Sequence, residues 1–333
     1  MRYSVLTQVE RRRPPRRRRP VVVLVLAALL SAGAYVGFQH FRGHEEPAAA
    51  APKPKAAPKP KATTRPRRTH LTARPTRIAL LSTPKPPRHD TPAVAARSAI
   101  LVDASTGAVV WQKRPHRRRP IASTTKIMTA TLVLERLRLN RFVRVPHRIT
   151  RVPLVREGLR GRERVRVWKL LDGLLIFSGN DDALTLAVAA AGSRRHFLAL
   201  MNEKARALGL RDTHFASTSG VIDKDNYSSA WDLAALTRYA MRDSRFRRIV
   251  ATRIAHVPWS APTYRKTYVN KNALIGTYRG ADGVKTGWTT IAGHCLVASA
   301  HRDGVRLIAV LLHSPDPYAD ARRLLNFGFA LRR

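Results

Sequence analysis

The spacing of apolar residues divides the chain into two parts of different character. In the first part, a single uncharged apolar run covers residues 21–38, and its 18 residues are close to the minimum for a helix that spans a bilayer. From about residue 97 onward, apolar positions recur with the periods of strands and helices. A buried core is therefore expected only in this second part, whose length is typical of one large domain.

Both ends of the second part predict β-hairpins. Near its start, the apolar runs 99–103 and 109–111 flank a Ser-Thr-Gly turn. Near its end, the runs 295–300 and 305–312 flank Asp303-Gly304, a strong signal for a tight turn between two strands.

The region between the hairpins predicts helices, because its apolar residues recur at i, i+3 and i+4. The segments with this spacing, together with one after the last hairpin, are 123–137, 168–177, 182–191, 196–208, 231–241 and 320–331. We therefore expect an α/β (α+β) fold, in which an antiparallel sheet is built from both chain ends, is covered by helices and carries an inserted helical region.

The residues around the apolar run predict export. Arginine blocks at 11–13 and 16–19 precede the run and place residues 1–20 in the cytoplasm as a basic tail. Residues 21–38 then form a transmembrane signal-anchor, because the apolar run continues past the small-residue sequence at 32–34. Cleavage after Ala34 is the alternative and would give a secreted protein. In both cases the domain is extracytoplasmic, and in the first its partner is the membrane.

Residues 39–96 predict a disordered linker. The segment is rich in Pro, Ala and Lys and contains two Pro-Lys repeats, at 52–55 and 58–61. A Pro-rich chain of like charge is extended and cannot bury a core. It would hold the domain of residues 97–333 away from the membrane.

The formal net charge of +41 first suggests nucleic acid as a partner. Residues 1–95 carry only +16 of it, and the rest is scattered along amphipathic segments of the domain. No nucleic acid is expected, because the domain is predicted to be exported and lacks basic motifs interleaved with aromatic residues. The basic run 113–119 is either a solvated loop or a contact with an anionic wall polymer.

The single cysteine, Cys295, excludes an intrachain disulfide. It lies in an apolar, strand-like run with no base-rich motif around it. This setting favours a small buried hydrophobe over a nucleophile.

Ser123-Thr124-Thr125-Lys126 is the first motif that can carry chemistry. If a helix begins at Ser123, Lys126 lies one turn later on the same face, where its amine can reach the hydroxyl. Lysine can accept the hydroxyl proton only if burial or a second cation lowers its pKa. Lys285 is the candidate for that second cation.

Two further motifs offer substrate contacts. Ser178-Gly179-Asn180 follows a helical segment and supplies a hydroxyl and an amide for proton relay and backbone binding. Lys285-Thr286-Gly287 offers donors to a carboxylate and a glycine that lets a substrate backbone approach. The backbone amides of Ser123 and Trp288 are the expected oxyanion donors.

In this order, the three motifs resemble the signature set of penicillin-binding proteins and class A β-lactamases. Longer segments are similar to the low-molecular-weight D-alanyl-D-alanine carboxypeptidases, peptidase family S11. These segments are 120–130, 177–181, 201–205, 226–233 and 283–289.

The resemblance implies a DD-peptidase/β-lactamase-like fold and removal of the terminal D-alanine from peptidoglycan stem peptides. It implies that Ser123 is acylated, that Lys126 is the base and that Ser178 acts with it. It also implies substrate binding by Asn180, Lys285, Thr286 and Gly287, and β-lactams as covalent inhibitors. No cofactor and no metal ion is expected.

Two departures from the family pattern bear on this expectation. Asp182 stands where a small residue is common, and we expect it to alter only a helix surface. The loop 313–318 lacks an arginine that some members use to hold the substrate carboxylate, so DD-endopeptidase activity on cross-links stays open beside carboxypeptidase activity.

The sequence argues against two other classes of protein. A class A β-lactamase needs a carboxylate for deacylation, and the only glutamate between Asn180 and Trp231 is Glu203, in a segment that matches the peptidases. A non-catalytic wall-binding protein on the same fold would be expected to have lost Ser123, Lys126 or Lys285, and all three are present.

Overall fold

The computed structural model describes residues 91–221, 224–259 and 265–332. The predicted basic tail and membrane anchor, and all but the last six residues of the predicted linker, lie outside these ranges. Within these ranges, no helix combines the length and the apolar character that crossing a membrane requires.

The described residues form eleven strands and seven α-helices. The strands are β1 Ser98–Asp103, β2 Val109–Lys113, β3 Arg119–Pro120, β4 Phe142–Arg144, β5 Arg164–Arg166, β6 Tyr227–Ser228, β7 Ile254–Val257, β8 Lys266–Val269, β9 Ala281–Thr289, β10 Gly293–Arg302 and β11 Val305–Ser314. The helices are α1 Lys126–Arg136, α2 Val167–Asp172, α3 Asn180–Ala191, α4 Arg194–Ala207, α5 Ala230–Ala240, α6 Ser244–Ala251 and α7 Pro317–Ala330.

The central sheet confirms the predicted architecture. Its five strands run in the order β2-β1-β11-β10-β9, and every neighbouring pair is antiparallel. The turn between β10 and β11 places Asp303 at φ 48° and Gly304 at φ 78°. Two successive positive φ angles match the right-handed twist of paired strands, and Asp-Gly is a sequence that reaches them at low cost.

The sheet is covered on both faces. Alternate residues of β1 and β11 enter two separate apolar cores, with Ile100 and Val310 in the core shared with the inserted helices. Leu101 and Ala309 enter the other core, which α7 closes. Burial on both faces explains why these strands are almost continuously apolar.

α1 is the central helix of the inserted region, and its residues from Lys126 to Leu134 are all buried. It packs against α3, α4, α5 and α6. A helix surrounded on every side must be apolar or internally satisfied. The buried Lys126 at its start is therefore a marked exception.

The structure departs from the sequence expectation in local geometry. Ser123 lies within a 3₁₀ turn, Ala122–Thr125, that leads into α1, and the predicted helix 168–177 is split into α2 and a π-helical turn, Gly173–Phe177. The helix α6 and the short hairpins β4–β5 and β7–β8 were not predicted. Their runs are too short or too rich in arginine for a clear apolar period.

The chain just before β1 is fixed to the helical cover of the sheet. The backbone N–H groups of Ala95 and Ala96 donate to the two carboxylate oxygens of Asp320, over 3.0 and 2.8 Å. Asp320 lies on α7 and also accepts a hydrogen bond from Ser314 at the end of β11. One buried carboxylate thus joins both ends of the domain.

Candidate active site

Ser123 is presented by a 3₁₀ turn that its neighbours hold in place. The hydroxyls of Thr124 and Thr125 donate to the carbonyls of Ile121 and Ala122, at 2.6 and 2.9 Å. Ala122 has a φ of 44°, a conformation that costs a non-glycine residue free energy. The turn places the Ser123 hydroxyl in a cleft of about 360 Å³.

Lys126 lies under this hydroxyl, as predicted. Its Nζ atom is 2.9 Å from Ser123 Oγ, 2.8 Å from Asn180 Oδ1 and 2.9 Å from the carbonyl oxygen of Ser219. The Asn180 and Ser219 oxygens can only accept hydrogen bonds from the amine. A neutral amine has two N–H donors for them and one lone pair, which then faces the hydroxyl of Ser123.

The environment of Lys126 favours this neutral form. The side chain is completely buried, and burial lowers its pKa well below the ordinary value for lysine. The charge of Lys285 lowers the same pKa further, as the sequence suggested, and Lys271 adds to this effect. Asp182 and Asp181 oppose these effects.

Asn180 and Ser178 come from the junction between the π-helical turn and α3. Besides accepting from Lys126, the Asn180 side chain donates to the carbonyl of Pro153 at 3.1 Å, and its backbone N–H donates to Val155 at 2.9 Å. Ser178 has a left-handed backbone, with φ at 75°, and lines the same cleft as Ser123. The junction therefore places both residues of the second motif beside the first.

Lys285 is buried on β9. Its Nζ atom donates to the carbonyl of Thr286 at 3.1 Å. Burial, aided by the charge of Lys271, lowers the pKa of Lys285 to about 7. Near neutral pH, the group is thus divided between its charged and neutral forms.

Gly287 lets β9 lie against the 3₁₀ turn that carries Ser123. A Cβ atom at this position would lie 2.9 Å from the backbone N of Ser123 and 3.1 Å from the Cβ of Ala122. Side chains are therefore excluded here. Trp288, the next residue, is 60% exposed at the mouth of the cleft. The oxyanion role of the Ser123 and Trp288 amides stays a prediction.

Most of the predicted site residues line this cleft or lie buried beside it. Its walls include Ser123, Ser178, Thr286, Gly287 and Trp288, while Lys126, Asn180 and Lys285 lie buried. Further lining residues are Val155, Lys271, His294, Cys295, Leu296, Pro317 and Tyr318.

The Ser219 loop is a part of the site that the sequence analysis missed. Besides binding Lys126, the loop accepts a hydrogen bond from Thr129 to the carbonyl of Thr218 at 2.6 Å. Gly220 has a φ of 80°, and a Cβ there would lie 1.8 Å from the carbonyl oxygen of Ala122. The contact to Lys126 uses a backbone carbonyl, which every residue type has, so no sequence signal could have marked it.

Asn226 supports the nucleophile turn from a distance of 101 residues along the chain. Its Nδ2 atom donates to Thr125 Oγ1 at 3.0 Å, and its Oδ1 atom accepts from the backbone N–H groups of Ala216 and Ser217. It therefore ties the Ser219 loop to the turn that carries Ser123.

Lys271 is a further cation that the sequence analysis missed. It lines the cleft, and its ammonium lies 4.8 Å from the ring centre of Phe177. The hydroxyl of Tyr318, in the first turn of α7, donates to the backbone carbonyl of Lys271 at 2.9 Å. A basic side chain thus stands in the cleft although the loop 313–318 has no arginine.

The expectation that Asp182 lies on a helix surface is wrong. The side chain is completely buried at the start of α3, and its Oδ2 atom faces Gly173 together with Glu157 Oε2. Neither oxygen of Asp182 has a hydrogen-bond partner among the described residues when both acids are ionised. A proton on one carboxyl lets the two acids bond, and burial beside Glu157 raises the pKa of Asp182 well above its ordinary value. The first turn of α3 is enclosed on all sides, which its amphipathic pattern does not reveal.

Lys266 neutralises the other acid of this pair. Its Nζ atom lies 2.8 Å from Glu157 Oε1, and the same ammonium stacks on the ring of Trp259. Asp181 is satisfied separately, by the backbone N–H groups of residues 157–159. The acids behind the Ser178–Asn180 junction thus anchor the loop that carries Glu157.

Comparison with known proteins identifies the family in which this geometry occurs. A model of the D-alanyl-D-alanine carboxypeptidase family, Peptidase S11, matches residues 85–316. The chain belongs to this family. The predicted family and fold are thereby confirmed.

Individual S11 relatives agree over most of the domain. The chain is 35% identical over 264 residues to the D-alanyl-D-alanine carboxypeptidase of Streptomyces sp. strain K15, covering 72% of this chain and 89% of that one. It is 34% identical over 244 residues to DacF of Bacillus subtilis, where the match covers 71% of this chain but 62% of the relative. The crystal structure of the Streptomyces K15 DD-transpeptidase superimposes with a TM-score of 0.67 at 34% identity, covering 72% of this chain and 99% of that one.

Proposed function

We propose that this S11 peptidase is a serine-type D-Ala-D-Ala carboxypeptidase that acts on peptidoglycan stem peptides through an acyl-enzyme on Ser123. The observation that carries the proposal is the buried Lys126 amine, 2.9 Å from the Ser123 hydroxyl, with its two N–H donors used by Asn180 and Ser219. Such an amine is a ready acceptor for the hydroxyl proton.

Acylation follows from this arrangement. Ser123 Oγ attacks the carbonyl carbon of the penultimate D-alanine while its proton moves to Lys126 Nζ. The backbone N–H groups of Ser123 and Trp288 bind the resulting oxyanion. When the intermediate collapses, the C–N bond breaks and the departing D-alanine takes up the proton held by Lys126, for which the Ser178 hydroxyl is the relay. Water then hydrolyses the ester: Lys126 takes a proton from the water and returns it to Ser123 Oγ as the acyl group leaves.

The terminal carboxylate of the substrate is bound by cations of the cleft. Lys285, Thr286 and Lys271 lie along or beside β9, and two of them are ammonium groups that attract a carboxylate. Lys271 supplies the charge that an arginine in the loop 313–318 would otherwise provide. The D-alanine that leaves a stem pentapeptide has a free carboxylate, so cations at this position support carboxypeptidase activity.

β-Lactams are proposed as covalent inhibitors of the same serine. In the structure, no carboxylate is among the residues that line the described cleft. Hydrolysis of the acyl-enzyme therefore lacks the activating acid that a class A β-lactamase uses. A β-lactam should remain attached to Ser123.

The proposal is tested on the full chain with two substrates, a D-Ala-D-Ala pentapeptide and a cross-linked muropeptide, with products weighed by mass spectrometry. We expect loss of one alanine from the pentapeptide, abolished by Ser123→Ala and Lys126→Ala but not by Ser244→Ala at an exposed serine. Because a solved neighbour is a DD-transpeptidase, an amine acceptor is included to reveal transfer of the acyl group.

The outcomes separate the alternatives. Cleavage of the cross-link alone would replace the carboxypeptidase by an endopeptidase. Absence of both products and of a stable β-lactam adduct on Ser123, in a folded protein that still binds wall, would leave a non-catalytic wall-binding protein.

From the N-terminal sequence, we also propose that the domain is extracytoplasmic and anchored to the cytoplasmic membrane by residues 21–38. A reporter enzyme that is active only outside the cytoplasm, fused after residue 333, should be active and sediment with membranes. Activity recovered in the medium would instead support cleavage after Ala34.

A further inference from the structure

The outer face of the β4–β5 hairpin is made of arginines around one exposed aromatic ring. The register pairs Phe142 with Arg166 and Arg144 with Arg164, so these four side chains share a face, while Val143 and its partner on β5 point into the core. Phe142 is 45% exposed, and the guanidiniums of Arg166 and Arg164 lie 4.4 and 5.2 Å from its ring centre. We call this surface the hairpin face.

The hairpin face carries charge that the domain does not neutralise. Within the described residues, no carboxylate lies at ion-pair distance from Arg144, Arg164 or Arg166. Like charges directly opposite each other on paired strands are destabilising. A hairpin built in this way has lower stability than one with mixed charges, and a bound anion would remove the repulsion.

The charge extends beyond the hairpin along the segments next to it. Residues 136–169 contain further exposed arginines without an ion pair among the described residues, at positions 136, 138, 141, 148, 151, 156, 160 and 162. The acids of this segment are otherwise engaged, since Glu157 is buried against Lys266 and Glu163 accepts from the backbone N–H of Arg160. Arginines therefore greatly outnumber acids in this segment.

We infer that the hairpin face, Phe142, Arg144, Arg164 and Arg166, binds a polyanionic cell-wall polymer with repeating phosphate groups. Guanidinium groups match phosphate oxygens with paired N–H donors, and a row of them follows a chain that has one charge per repeat. The inference goes beyond the proposed peptidase activity and relies on it only for the location of the protein at the wall.

The position of the face favours a wall polymer over nucleic acid. The chain that leads from β4 to β5 passes the active-site cleft, where Val155 lines the wall and Asn180 is bonded to Pro153 and Val155. The hairpin face and the cleft-lining Val155 therefore belong to one continuous segment of the chain. The described face offers one aromatic ring, whereas single-stranded nucleic acid is bound through several stacked rings.

The test measures binding of the full chain to poly(glycerol phosphate) across a salt series, with neutral dextran and double-stranded DNA as comparison polymers. We expect the triple variant Arg144→Gln/Arg164→Gln/Arg166→Gln to bind poly(glycerol phosphate) about 10-fold more weakly at low salt. The slope of log affinity against log salt should fall by about 2, because each of the three guanidiniums that neutralises a phosphate on a single polyanionic chain contributes about 0.7 to the slope.

A matched control separates the face from net charge. The variant Arg195→Gln/Arg206→Gln/Arg248→Gln removes the same three charges from exposed positions on α4 and α6. It should bind poly(glycerol phosphate) nearly as well as the unmodified chain. The far-UV circular dichroism spectrum should be unchanged in both variants, which shows that they are folded and keeps this test independent of the peptidase proposal.

Three results would overturn the inference. Equal losses of affinity in the two triple variants would show that net charge, and not the hairpin face, determines binding. Unchanged affinity in the hairpin variant would show that the hairpin face does not bind the polymer. Tighter binding of DNA than of poly(glycerol phosphate), lost only in the hairpin variant, would assign the face to nucleic acid.

Discussion

Two lysines with lowered pKa values divide the work of the site between them. Burial and the charge of Lys285 lower the pKa of Lys126 well below its ordinary value, and burial beside Lys271 lowers the pKa of Lys285 to about 7. The first suits a base and the second a carboxylate receptor whose charge depends on pH. The sequence identified both residues through their motifs, but the oxygen of Ser219 that completes the first environment is a backbone atom.

The pH profile of kcat/KM should show the ionisation of Lys285. As pH rises through about 7, Lys285 loses its charge, so binding of a terminal carboxylate weakens and kcat/KM for a D-Ala-D-Ala peptide falls. A peptide ending in D-alaninamide lacks the carboxylate and should lose this descending limb. A limb at the same pH for both peptides would contradict the assignment. The rising limb, due to Lys126, should be common to both.

Asp182 lowers the stability of the native state at neutral pH. Its pKa is raised in the folded protein by burial and by Glu157, so the unfolded chain ionises first as pH rises above about 4 and the native state loses stability from there upward. Asp182→Asn should therefore raise the free energy of unfolding by about 1–2 kcal/mol at pH 7.5. The gain should vanish at pH 3.5, where the carboxyl is protonated in both states.

Urea denaturation at the two pH values measures this difference. Asp225→Asn, at an exposed position, serves as the control and should change stability by less than about 0.5 kcal/mol. A gain that is the same at both pH values would show that packing, and not ionisation, governs the effect of Asp182→Asn.

At the scale of elements, the site depends on the close approach of β9 to the 3₁₀ turn of Ser123. The apolar periods and the Asp303-Gly304 turn predicted β10, β11 and α1. The 3₁₀ geometry and the π-helical turn were not predictable from the sequence, because they depend on how the sheet and the helices pack against each other. The β4–β5 hairpin was missed because three-residue strands of Arg and Val give too short an alternation.

Gly287→Ala tests whether acylation depends on the close approach of β9 to the Ser123 turn or only on the stability of the fold. Its Cβ would lie 2.9 Å from the backbone N of Ser123, so β9 must move away and acylation by a β-lactam should slow by about 100-fold. Gly328→Ala on α7 is the control, since its Cβ would meet Leu101 and Leu307 at 2.7 Å in the core behind the sheet.

The two variants should give opposite patterns. Gly328→Ala should lower the melting temperature while the acylation rate stays near that of the unmodified chain. Acylation that slows in proportion to lost stability in both variants would contradict a specific role for Gly287.

At the scale of the whole molecule, the fold is held together by contacts between its two ends. The sequence analysis predicted this arrangement from the strand patterns near both ends, and the sheet confirms it. It did not predict the buried Asp320, because a carboxylate on a helix gives no sign that backbone N–H groups from residues 95 and 96 will need it.

Asp320→Ala should destabilise the domain by about 2–4 kcal/mol, because it leaves the buried N–H of Ala96, the part-buried N–H of Ala95 and the buried hydroxyl of Ser314 without their acceptor. Asp316→Ala, which removes an exposed cap at the start of α7, should cost about 1 kcal/mol. Urea denaturation of both variants measures the comparison. Equal losses would show that the link between the chain ends contributes nothing beyond helix capping.

The pairing of β1 with β11 also governs when the enzyme can first act. Its register joins Ser98 to Leu312, and β9, which brings Lys285, follows most of the helical region in the chain. While the polypeptide is being synthesised, Ser123 and Lys126 emerge long before the strands that complete their surroundings. A nascent chain is therefore catalytically silent until β11 has left the ribosome and paired with β1.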